Sequence, residues 1–156
     1  MRILKWFLTF MAGAILGAIV SLGLAKGMAG GEVQPVQAQE FLRDYYASAV
    51  RPASAERAWQ MLKPEFRLVL PAGYDGFLKW YTNWRKVELG ELQPGGETNQ
   101  FMATVTYVSA DNQLQSRGEG AWTLSCANAI QSYNPFDSTC SVKDIQIDYY
   151  GYQQNP

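Results

Sequence analysis

Twenty consecutive residues without a charge, Trp6 to Ala25 (WFLTFMAGAILGAIVSLGLA), set the amino-terminal end of the chain apart. As a helix rising about 1.5 Å per residue, this run would be roughly 30 Å long, the thickness of a bilayer's hydrocarbon core. It reads as a single transmembrane helix, with residues 1–27 as the anchor. Arg2 and Lys5 precede the run and only Lys26 follows it, so the positive-inside tendency keeps the amino terminus cytoplasmic and exports the rest. The rival reading is a cleaved signal, with Gly27-Met28-Ala29 offering small residues at the two positions a signal peptidase inspects. Twenty apolar residues exceed the usual signal core of about 7 to 15, which favours the retained anchor. Gly13 and Gly17 form a G-x-x-x-G, a spacing that would let two such helices approach closely as a homodimer.

The exported part keeps 10 Lys and Arg against 14 Asp and Glu, with no basic stripe. Nucleic acid is therefore not an expected partner. The chain has no histidine. That removes Ser-His-Asp and Cys-His catalysis, a histidine general base, and the usual zinc sites. No metal, no cofactor and no catalytic residue are expected. Nine Tyr, seven Phe and five Trp nonetheless supply ample apolar surface for one folded core.

Residues 28–37, with Gly30-Gly31 and Pro35, read as a linker ahead of a domain spanning 38–156. Ala38, Phe41, Leu42, Tyr45 and Ala49 fall at helical spacing, and Arg51-Pro52 ends that helix. Ser54 can cap a second helix carrying Ala58, Trp59 and Leu62, which Pro64 stops. A third begins near Tyr74, with Phe77, Trp80, Tyr81 and Trp84 on one face. Beyond Trp84 the period becomes two. A strand over Phe101–Val108, apolar on both faces, reads as central. Leu114 to Cys126 reads as a long strand bent or bulged at Gly118 and Gly120. The last strand, Ser141 to Tyr150, sets Ile145, Ile147 and Tyr149 opposite Asp144, Gln146 and Asp148, which makes neither Asp144 nor Asp148 a buried acid. Helices followed by an antiparallel meander predict an α+β domain with three helices packed on a curved sheet.

Cys126 and Cys140, the only cysteines, stand at the end of one expected strand and the start of the next. Paired strands would bring them together at a hairpin base, in reach of a disulfide. Export makes oxidation the expected state, and their wide spacing marks a structural bond rather than a redox motif.

The runs FLRDYYASAVRPASAERAWQMLKPEF, GYDGFLKWYTNW, KVELGEL and TYVSADNQ, in that order, resemble a domain attached outside the membrane to bacterial Ser/Thr protein kinases, notably of cyanobacteria and actinobacteria. That domain is similar to the nuclear transport factor 2-like superfamily. The resemblance covers roughly residues 38–150 and implies a cone in which helices close over a bent antiparallel sheet. It differs in that no kinase domain precedes the module, and in the long insertion between the cysteines.

Two functional expectations follow. The first is a non-catalytic binding or scaffold domain for protein partners in a membrane complex, in the periplasm or thylakoid lumen. Tyr133 and Phe136, in the loop between the cysteines, are its candidate contacts. The second is a small-ligand sensor or enzyme using the interior of the cone, as the resemblance implies, with Trp80, Trp84, Tyr107 and Trp122 as candidate lining. The same four residues suit a filled core.

Overall fold

A computed structural model describes residues 31–113, 115–127 and 140–155. The expected anchor, its Gly13 and Gly17, and the loop residues Tyr133 and Phe136 lie outside the described residues. No helix among the described residues is long and apolar enough to cross a membrane. The fold is α+β, four helices followed by a five-stranded antiparallel sheet.

Helix α1 (Pro35–Ala49) starts three residues before the expected Ala38, so Pro35 to Gln37 belong to it rather than to the linker. Pro35 sits where its missing N–H costs nothing. The stripe of Ala38, Phe41, Leu42, Tyr45, Tyr46 and Ala49 is buried, as a 3.6-residue period requires. Ser54 does not cap α2 (Ala55–Gln60); its hydroxyl donates to the Ser48 carbonyl at 3.0 Å. Pro64 both keeps α2 short and opens an additional helix, α3 (Pro64–Val69), so the helices among the described residues number four rather than the expected three. Helix α4 (Gly73–Tyr81) ends before Trp84. Trp84, expected on that helix, opens the first strand instead, yet it stays buried.

The sheet runs β1-β3-β4-β5, with β2 (Gln93–Pro94) beside β3 beyond the end of β1. Strands β1 (Trp84–Leu89), β3 (Gln100–Ser109), β4 (Gln115–Cys126) and β5 (Ile145–Gln154) are all antiparallel. The strand over Phe101–Val108 is central, as its two apolar faces require. Gly118 and Gly120 do not bulge β4 against β3: the register runs unbroken past both. Their role is close approach. A Cβ on Gly120 would overlap the Trp122 indole, and one on Gly118 would meet the Tyr152 ring at 2.8 Å.

The irregularity falls further along, between Thr123 and Leu124 opposite Ile147 and Tyr149, so Asp148 is an extra residue in β5. One inserted residue reverses which side chains face inward. Tyr149, expected beside Ile147, is 41% exposed, and Tyr150 turns to the core in its place. Asp148 accepts a hydrogen bond from the Ser125 hydroxyl and lies 3.5 Å from the Lys63 ammonium.

Cys126 and Cys140 are joined as a disulfide, with Cα atoms 5.8 Å apart. The Gln37 amide donates to the Cys140 carbonyl at 2.6 Å, tying the first turn of α1 to the cross-link. At the same end, the side chain of Asn99, in left-handed backbone at φ 59°, accepts from the Val33 N–H at 2.8 Å. The Asn99 carbonyl accepts from the Leu124 N–H at 3.0 Å. Val33, 2% exposed, is thereby packed into the core ahead of α1.

Candidate functional site

A cleft of about 90 Å³ opens between α3, α4 and the inner face of the sheet. Its rim comes from Phe66, Leu70, Pro71 and Trp80, and its floor from Tyr45, Tyr81, Tyr107 and Tyr150. Leu70 and Pro71 belong to the turn between α3 and α4, made by the helix that sequence periodicity does not reveal. Just before them, Leu68 is 86% and Val69 73% exposed. None of the lining residues carries a charge. Among the described residues, no group of three or more His, Cys, Asp or Glu could hold a metal ion.

The floor is a cluster of phenols. Tyr45 and Tyr81 hydroxyls are 3.1 Å apart, and those of Tyr107 and Tyr150 are 2.7 Å apart. Tyr46 lies among them, its ring 5.0 Å from Tyr45 and 6.3 to 6.4 Å from Tyr81, Tyr107 and Tyr150. Its hydroxyl bears on those of Tyr107 and Tyr150, whose ionisation it eases, whereas the buried indole N–H groups of Trp84 and Trp122 have no hydrogen-bond partner among the described residues. Both indoles can only donate, so what is missing around them is an acceptor. Burial raises Tyr107 to about 12. It lifts Tyr45, Tyr46, Tyr81 and Tyr150 well above the ordinary phenol range, because a phenolate would lose its hydration there. The five hydroxyls remain neutral donors at any physiological pH.

Of the candidate pocket residues, Trp80 and Tyr107 line the cleft, whereas Trp84 and Trp122 are packed outside its lining. Trp84 touches both of the lining pair, at 5.8 Å from Trp80 and 5.3 Å from Tyr107. Trp122 stacks on Tyr150 at 5.3 Å with an interplanar angle of 19°. Tyr150 and Tyr152 escape sequence reasoning because the Asp148 bulge changes the parity of β5. Tyr45 and Tyr81 are visible as core positions on their helices, but not as hydroxyls that meet. The doublet Tyr45-Tyr46 and the chain's nine tyrosines are the signals that could have pointed to the cluster.

General acid and base chemistry needs a titratable group near the operating pH, or a carboxyl within reach of the substrate. The lining offers neutral phenols alone. The arrangement can receive an apolar group. In comparisons with known proteins, no family model matches the chain, and no curated protein matches it.

Proposed function

We propose that the chain is a membrane-tethered, non-catalytic binding domain on the extracytoplasmic side of its membrane, built as a nuclear transport factor 2-like cone. Residues 1–27 supply the anchor on this reading, and the Cys126–Cys140 disulfide suits an oxidising compartment. The observation that carries it is the uncharged cleft with Leu68 and Val69 exposed immediately before its rim. Adjacent exposed apolar residues beside an apolar recess are characteristic of a contact surface for a protein partner.

A cleft of about 90 Å³ is small beside the roughly 300 to 1,000 Å³ of ordinary small-molecule pockets. It has room for one anchoring group of a larger partner, which favours the binding domain over a free-ligand sensor. The absence of a charged lining residue likewise favours it over an enzyme. The test is photo-crosslinking from position 68 of the full-length chain in native membranes. A discrete protein adduct is expected from that position, with Val69→Ser weakening it while stability stays within about 0.5 kcal/mol. Adducts to lipid alone, or none, would refute the partner reading.

A further inference from the structure

The two outer strands of the sheet are defended unequally. Among the described residues β1 is the last strand on one side and β5 the last on the other, so each has an outer side with no neighbouring strand. In its six residues β1 carries Arg85, Lys86 and Glu88, charges of the kind that discourage another strand from adding there. On β5 the outer side of Ile147 is already taken, since its carbonyl accepts from the Lys63 N–H and its N–H donates to the Met61 carbonyl, both at 2.9 Å. The Asp148 bulge follows directly. Past it, residues 149–154 (YYGYQQ) carry no charge, and among the described residues no backbone group outside β4 hydrogen-bonds to theirs.

Tyr150 and Tyr152, both in this bare stretch, also line the cleft. In an antiparallel sheet the residues of an outer strand turn their N–H and C=O groups alternately inward and outward, so an extended segment lying about 4.8 Å from β5 would complete the outward bonds. Alternate side chains of that segment would then stand beside the two tyrosines, at the mouth of the cleft. No Lys, Arg, Asp or Glu lines the cleft, so a charge entering it would lose its hydration without gaining a partner. An apolar side chain meets no such cost. A helix laid on the same edge would leave the β5 groups unbonded, because a helix uses its own N–H and C=O groups internally. We propose that the partner pairs an extended segment with residues 149–154 as a further strand and seats one uncharged, apolar side chain in the cleft. Main-chain bonds then supply affinity, and the cleft supplies selection. This rests on the reading of the cleft as a protein contact, and it adds the form that the partner takes there.

The probe is a library of acetylated, amidated hexapeptides varied over Ala, Val, Leu, Phe, Thr, Lys and Glu, bound to the full-length chain in nanodiscs. The tightest member is then N-methylated on its backbone, one residue at a time. Binding is expected to weaken at least about tenfold at alternate residues and to stay within about twofold at those between, since only every second N–H faces β5. Replacing one apolar residue of the peptide by Ala should cost a similar factor, and a diazirine at that residue should label Tyr150, Tyr152 or the Leu70-Pro71 turn. Losses spread evenly over all N-methylated positions, or absent at every one, would overturn the strand pairing. A label landing away from the cleft would overturn its location. If no peptide binds while position 68 of the full-length chain still forms a protein adduct, the added strand is overturned and the partner reading stands. Neither binding nor an adduct would overturn both.

Discussion

The two halves of the core use the same kind of side chain to opposite ends. Around Trp122 the aromatic ring is sealed: Gly120 leaves it the space a side chain would fill, Tyr150 stacks on it, and Leu124 and Ile147 beside it are 2% exposed or less. Tyr107, though 1% exposed and in ring contact with Trp84 and Tyr152 at 5.3 Å, also borders the cleft. The difference lies in what faces each ring. Small residues and aliphatic chains close up on the indole, whereas the tyrosines of α1, α4, β3 and β5 also meet through their hydroxyls. An aromatic-rich chain can therefore build a filled core and a recess from the same residue types, according to whether rings meet by their faces or by their polar tips.

The sharpest way to break this comparison is to truncate the sealed ring. Trp122→Ala should cost about 3 to 5 kcal/mol in denaturant unfolding. Trp80→Ala, whose ring already borders open space, should cost clearly less. Equal losses would mean that the cleft is as tightly packed as the sealed half.

Alkali separates the halves by chemistry instead. The cluster tyrosines have native pKa values above the unfolded value of about 10. Below that value their contribution to stability is fully present. As pH rises through 10, the unfolded chain loses protons that the native one keeps, and stability falls by about 1.4 kcal/mol per pH unit for each such tyrosine. Tyrosinate absorbance should rise together with unfolding, in one steep step. Gradual ionisation of these phenols in a chain that remains folded would show that they are solvated.

The smallest effect is expected from a single hydroxyl. Tyr45→Phe strands the buried hydroxyl of Tyr81 and should cost about 1 to 2 kcal/mol. Circular dichroism melts of the variant and the double variant Tyr45→Phe/Tyr81→Phe would check this, the double change restoring much of the loss.

Much of the sealed half is legible in the sequence. Ala38, Phe41, Leu42 and Tyr45 announce a helix face by their spacing, and the two-faced run from Phe101 to Val108 announces a central strand. The cleft is less legible, because it depends on interruptions of those periods. The inserted Asp148 turns Tyr150 inward and Tyr149 outward, against strict alternation. Helix α3 is six residues long, too short for a periodic stripe to stand out, and Pro64 can be read equally as a stop or a start. Trp84 continues the spacing of α4 by coincidence, since the Thr82-Asn83 turn separates the two. Trp80 and Tyr107 could be named as lining from sequence; the pairing of the Tyr45 and Tyr81 hydroxyls and of the Tyr107 and Tyr150 hydroxyls could not, since it exists only once the helices are packed on the sheet.

The Asn99 clasp on Val33 also has a mechanical meaning. Tension arriving along the chain ahead of Gly31 does not first peel α1 from its bed, because the load passes through the Val33 N–H into the Asn99 side chain and from the Asn99 carbonyl into Leu124 on β4. The pull is thus shared between the turn that opens β3 and the strand beside it, in the middle of the sheet. A chain fastened in this way behaves less like a bead on a string than like a bracket bolted through its backplate.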